Sequence, residues 1–153
     1  QTLTADNYQE IAFLDCPEDP TLIKEVLQQA QINRVMFVLE AHDDAYLDGI
    51  GTREQYARLF KLIAAQPRLD IRNKLPEIAG YLHLPPKLLI FMIQVFFDLK
   101  FVTISDGVLQ REPTAEKKAL ESSNLYASRL KKIKSEEFLL LSDLGTLKAW
   151  LTN

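Results

Sequence analysis

A chain of 153 residues, 47% apolar and 25% charged, has the make-up of an ordinary soluble globular protein, enough for one medium domain or two small ones sharing a core. No apolar run approaches the ~18–20 residues of a membrane span; the longest, residues 88–93, is followed at once by Gln94. The net charge of −3 divides unevenly: residues 1–50 carry two bases against ten acids, net −8, which repels phosphate backbones, and residues 51–153 carry sixteen against eleven, net +5, which tolerates them.

The sequence opens at Gln1 without a Met, a basic leader or an apolar signal core, and so reads as a piece excised from a longer chain. Residues 10–16 (EIAFLDC) predict a buried strand that Pro17 stops. Asp19 is placed to cap the next helix, with Pro20 at its first position. Leu22, Ile23, Val26 and Leu27 carry the helical spacing to Ala30. Residues 34–40 (RVMFVLE) predict a second strand, apolar enough to be covered on both faces. Strand, helix and strand within about 30 residues imply a βαβ unit with parallel strands. Two strands are too few to stand alone, so the sheet must borrow strands from elsewhere in the chain or from sequence before it.

Residues 43–51 form an acidic connection ending in Gly49 and Gly51. Thr52 and Gln55 make a capping box for a helix with Tyr56, Leu59, Phe60, Ile63 and Ala64 on its apolar face, ended by Pro67. Residues 69–71 predict a very short strand. A second helix is expected from near Pro76 to Leu82, and a third from Lys87 to Leu99 after Pro85 and Pro86. Residues 101–104 and 108–111 flank an Asp106-Gly107 turn as a hairpin. That order is the order of a winged helix-turn-helix. Beyond a polar connector at 112–121, residues 123–135 predict a helix with Tyr126, Leu130 and Ile133 on one side and Arg129, Lys131, Lys132 and Lys134 around the rest. Residues 138–141 fit either the end of that helix or a strand. Ser142 is expected to cap a last helix in which Leu144, Leu147, Trp150 and Leu151 point inward. The expected fold class is α+β: a βαβ-type α/β part (1–51, with an incomplete sheet), a winged-helix-like part (52–112), and a connector with C-terminal helices packing on the rest (113–153).

The stretches DIRNKLPEIAGYL, LLIFMIQVFFDLKFVTISDGVL and LYASRLKKIKSEEFLLLSDLGTLKAWL, with EAHDDAYLDGIGTREQYARLFKLI, resemble the C-terminal region of the RecJ exonucleases of Firmicutes. The resemblance covers nearly the whole chain and rests on long runs of ordinary residues rather than on a catalytic signature. It implies a parent that degrades single-stranded DNA from 5′ to 3′ in recombination and repair. That parent's DHH-phosphoesterase core holds Mn or Mg with clustered Asp and His. No DHH triplet occurs in this chain, so none of the family's catalytic residues carries over. The chain is expected to be non-catalytic and without a cofactor of its own.

Other constellations are weak. Cys16 ends the first strand and His42 follows the second, so thiol and imidazole could meet at the sheet's carboxyl edge. Asp15, Glu18, Asp19, Asp43, Asp44 and Asp48 crowd that edge, however, and raise a thiol's pKa. His42, Asp43, Asp44 and Asp48 have the chemistry of a hard-cation site, but an acidic turn is more often simply solvated. His83 has no acid or cysteine at ligand spacing. DCPEDP after the first strand offers acids where a phosphate needs backbone N–H groups. As a DNA-reading helix, KLLIFMIQVFFDL shows only Lys87, Gln94 and Asp98, with Phe91 among them, and the wing tip Ser105-Asp106-Gly107 is acidic. The lone cysteine excludes an internal disulfide and points to the cytoplasm.

These observations favour a non-catalytic accessory module that docks the rest of the exonuclease or another protein, such as the acidic, apolar tail of single-stranded-DNA-binding protein. The expected contacts are Arg129, Lys131, Lys132 and Lys134, with Arg72 and Lys74 as a second patch. The alternatives are sequence-blind binding of single-stranded DNA, for which Phe91, Tyr81 and Tyr126 offer stacking surfaces, and a purely structural lid. No membrane is involved.

Overall fold

The computed structural model describes residues 10–29, 32, 34–39 and 48–153. They mix helices with two small sheets, an α+β composition. The backbone divides into two compact units, one of residues 48–130 and the other of residues 1–47 with 131–153. Among the described residues no single helix is long and apolar enough to cross a membrane.

Strand β1 (Glu10–Phe13) is followed by helix α1 (Thr21–Gln29) and strand β2 (Arg34–Phe37). The strands pair in parallel, Glu10 opposite Arg34 and Phe13 opposite Phe37. Both are shorter than their apolar runs. Pairing rather than hydropathy bounds a strand; past the ladder the Val38 N–H donates to the Phe13 carbonyl at 2.9 Å. Asp19 caps α1 as expected, accepting from the Thr21 N–H at 2.9 Å and its hydroxyl at 2.7 Å.

In the 48–130 unit, α2 (Arg53–Ala65) begins with both halves of the capping box. Thr52 Oγ1 accepts from the Gln55 N–H at 3.2 Å, and the Gln55 side-chain oxygen accepts from the Thr52 N–H at 2.8 Å. Two amides that a first turn leaves unpaired are thereby satisfied. Strand β3 (Leu69–Asp70) then leads straight into α3 (Ile71–Leu82). This helix starts five residues before Pro76, which lies inside it. A proline interrupts a helix interior, but two stronger local contacts set the start earlier. Asp70 accepts from the Asn73 N–H at 3.0 Å, and the Gly107 carbonyl accepts from the N–H groups of Ile71 at 2.9 Å and Arg72 at 3.2 Å. His83 closes α3 in the left-handed conformation, φ 55°.

Helix α4 (Pro86–Asp98) has Pro86 at its first position, where no donor is needed, and buries Leu89, Met92, Val95 and Phe96 most deeply. Strands β4 (Val102–Ser105) and β5 (Val108–Arg111) form the hairpin, with Asp106 and Gly107 both at positive φ, 50° and 75°. Those angles make the two-residue turn whose twist matches the strands. β5 lies centrally, with β3 antiparallel on its other side and Leu69 opposite Leu109.

A 3-10 turn at Leu120–Ser122 precedes α5 (Asn124–Leu141). Ser123 Oγ accepts from the Tyr126 N–H at 3.2 Å and donates to Asp98 at 2.7 Å. Residues 138–141 continue this helix and are not a strand. The last helix, α6 (Leu144–Thr152), is capped by Asp143 rather than Ser142; Asp143 accepts from the Thr146 N–H at 2.9 Å and its hydroxyl at 2.8 Å. Leu147, Trp150 and Leu151 pack inward with Phe13, Phe37, Leu139 and Cys16. Leu144, on the same stripe but at its open end, is 68% exposed, contrary to expectation.

Candidate functional site

Within the 48–130 unit, four aromatic side chains converge from two helices and the approach to β4. The ring centroids of Tyr56 and Phe96 lie 5.6 Å apart, Phe60 and Phe96 6.0 Å, and Phe96 and Phe101 5.8 Å, the first two pairs edge to face. Tyr56 donates to the Ile50 carbonyl at 3.0 Å, and burial pushes its phenol well above the ordinary range. The cluster floors a cavity of about 580 Å³, walled by Arg53, Arg111, Glu112, residues 115–118 and Leu120. The capping box turns Tyr56 and Phe60 to one side of α2, and the chain leaving β5 crosses in front of them.

The rim carries a slight excess of bases. Arg53 pairs with Glu121 at 2.9 Å. Hydrogen bonds from Thr114 satisfy Glu112 and hold its carboxyl below the usual range. Arg111 places its guanidinium 5.2 Å above the Phe60 ring, and Lys117 and Lys118 are exposed. With Arg53 paired, the rim keeps three further bases, Arg111, Lys117 and Lys118, against two acids, Glu112 and Glu116. An apolar floor beside a rim where bases outnumber acids by one suits an apolar side chain that carries carboxylates next to it.

The residues singled out from sequence lie elsewhere. Arg129 lays its guanidinium 4.1 Å above the Phe91 ring. Lys131 and Lys134 are exposed and share a face of α5 at three-residue spacing. Lys132 is half-buried, and its charge partly offsets what raises the Cys16 thiol: burial first, then Glu136 and Asp15. Arg72 and Lys74 are both exposed, but two residues apart on a helix they point to different sides. Of the three proposed stacking rings, Tyr81 is exposed; Phe91 and Tyr126 are buried. Phe91 was expected among exposed side chains, and the Arg129 stack is what covers it. Phe97, on another side of α4, is exposed.

Cys16 is buried with a raised pKa, a poor nucleophile. His42, Asp43 and Asp44 lie outside the described residues, and among those described no three His, Cys, Asp or Glu side chains cluster as a metal site would need. His83 serves α3 through its backbone. Arg53, Arg111, Lys117 and Lys118 were not singled out from sequence. Their nearest signal was the run EPTAEKK, an ordinary solvated connector until the fold sets it against the aromatic floor.

A model of the family described as single-strand DNA-specific exonuclease, C terminal domain, matches residues 1–151. The single-stranded-DNA-specific exonuclease RecJ of Bacillus subtilis (strain 168) is 27% identical over 141 residues. That match takes in 92% of this chain but only 18% of the relative, at its C-terminal end. No solved structure matches the chain. With the family model spanning nearly every residue, the chain belongs to the C-terminal domain family of the single-strand DNA-specific exonucleases.

Proposed function

We propose that the chain is a non-catalytic accessory module of a RecJ-type, 5′-to-3′ single-stranded-DNA exonuclease acting in cytoplasmic recombination and repair, and that it docks an acidic, apolar-ended protein segment. The observation that carries this reading is the cavity of about 580 Å³ with an aromatic floor and the cations Arg111, Lys117 and Lys118 on its rim. Exposed ion pairs contribute only about 0–1 kcal/mol each. Affinity therefore comes from burying an apolar side chain on the aromatic floor, at roughly 25 cal/mol per Å², while the rim selects acidic neighbours. The acidic, apolar tail of single-stranded-DNA-binding protein has that chemistry. Catalysis, and the Mn or Mg it uses, belongs to the rest of the parent.

The docking unit is read as a winged helix used as a scaffold. α3 and α4 bend by 107° at their short connection and the hairpin follows, as in helix-turn-helix folds. α4 is buried over most of its circumference, and the turn that would touch DNA carries Asp106, so duplex reading is not its task.

A second reading, sequence-blind binding of single-stranded DNA, is favoured by two exposed rings, Tyr81 at 69% and Phe97 at 54%. Titrating the chain with an acidic, apolar-ended peptide and with a single-stranded oligonucleotide, each at two salt concentrations, separates the readings. Docking predicts peptide binding that weakens only mildly with salt. Tighter oligonucleotide binding that falls steeply with salt selects the second reading. Binding of neither leaves the chain as a structural lid.

A further inference from the structure

The parallel strands β1 and β2 have two unlike faces. Ile11, Phe13, Val35 and Phe37 are half-buried, and Phe13 and Phe37 stack at 5.5 Å against the core of their unit. The other face is exposed. Continuing the register outward gives Glu10 beside Arg34, Ala12 beside Met36, and Leu14 beside Val38. The first pair is a surface ion pair at 3.3 Å. The rest form an apolar patch, with Leu14 69%, Met36 46% and Val38 45% exposed.

Such a surface is out of place on a parallel sheet. Parallel strands are ordinarily covered on both faces, and two strands are too few to persist without a neighbour. We infer that the outward face of β1 and β2 is an interface with the preceding part of the same polypeptide.

Two observations select that occupant. First, the chain spans only 18% of its RecJ relative, at the C-terminal end, so more than four-fifths of that relative lies before the matching region. Second, the patch is small. A free partner or a second copy needs roughly 800 Å² on each side for a stable complex, which four side chains and one ion pair do not supply. A covalently linked neighbour is present at an effective concentration of about millimolar and holds on a far smaller patch. Glu10–Arg34 at one end and apolar side chains at the other give that contact a polar rim and a dry centre.

The test is the labelling rate of a Met36→Cys variant by a maleimide, in a background whose other reactive cysteines are replaced, with Gln28→Cys on the exposed side of α1 as the control. It is run in the full-length exonuclease and in this chain by itself. The inference expects Met36→Cys to react at least tenfold more slowly than the control in the full-length protein, and at about the control's rate in the chain alone. Equal rates in the full-length protein overturn it, because the face is then open. Slow labelling in both proteins also overturns it, because the cover then lies within this chain. So does protection that disappears on dilution, which assigns the face to a second copy. Should the chain alone fail to fold, Leu14→Asp in the full-length protein takes its place. Easier proteolytic release of residues 10–153, with the nuclease otherwise intact, supports the interface, and unchanged release refutes it.

Discussion

Three aspartates, Asp19, Asp70 and Asp143, hold the starts of helices by one local geometry, accepting from an N–H two or three residues ahead. Those hydrogen bonds stabilise the ionised carboxylate and lower all three pKa values from the ordinary 3.8. A lowered folded pKa means that the folded state holds the proton less tightly than the unfolded chain. The caps' contribution is therefore complete above pH 3.8 and is lost as pH falls through the lowered values. Asparagine caps as well but does not titrate in this range. An Asp70→Asn, Asp143→Asn variant should lose less stability than the natural chain in thermal unfolding followed from pH 6 to 3; parallel acid losses would show that the caps are not the cause. Packing at single residues is equally specific. Leu89 and Phe96 are buried and neighbouring Phe97 is half exposed. Leu89→Ala or Phe96→Ala should cost about 2–5 kcal/mol in urea unfolding, and Phe97→Ala about 0.5 kcal/mol or less. A large loss at Phe97 would mean that α4 is turned the other way.

At the scale of elements, the hairpin and α3 depend on each other. The Gly107 carbonyl accepts from Ile71 and Arg72 at the start of α3, and a Cβ on Gly107 would stand 2.6 Å from the Arg72 Cβ. With φ at 75° besides, Gly107→Ala should cost about 1–3 kcal/mol, read by urea unfolding, and should fray α3 as seen by amide exchange. A variant as stable as the natural chain, with the first turn of α3 still protected, would separate the two elements. Local signals of this kind explain what was readable in advance. Thr52 and Gln55 announced α2, Asp106-Gly107 announced the hairpin, and the 3.6-residue spacing of α4 announced its buried face. The start of α3 was not legible, because a carbonyl 36 residues away in sequence helps set it. The end of α5 was ambiguous because FLLL satisfies either period; in the structure it is helical, with Phe138 packed edge to face on Trp150 at 5.1 Å between ring centroids.

For the whole molecule, the uneven charge argues against an acidic partner on residues 1–50, and two basic places on the remainder compete for it. The densest bases run from Arg129 to Lys134, and the cavity rim is the place proposed from the fold. Charge density is visible in one dimension, whereas an apolar floor beside a base needs the fold. Phe60, Phe96 and Phe101 lie far apart in sequence, and only the meeting of α2, α4 and the β4 approach brings their rings together. On this account the chain itself does no chemistry: incubated with Mn or Mg it should leave single-stranded DNA intact on a gel, and metal-dependent degradation abolished by Asp43→Ala or Asp44→Ala would contradict that. Calorimetry of an acidic, apolar-ended peptide against two charge reversals locates the docking surface. Lys117→Glu with Lys118→Glu on the cavity rim should weaken binding about tenfold, with an unchanged circular dichroism spectrum, while Lys131→Glu with Lys134→Glu on α5 should change it by about twofold or less. Binding that survives the rim reversal and is lost on the α5 reversal, both variants folded, would place docking on α5 instead of at the cavity.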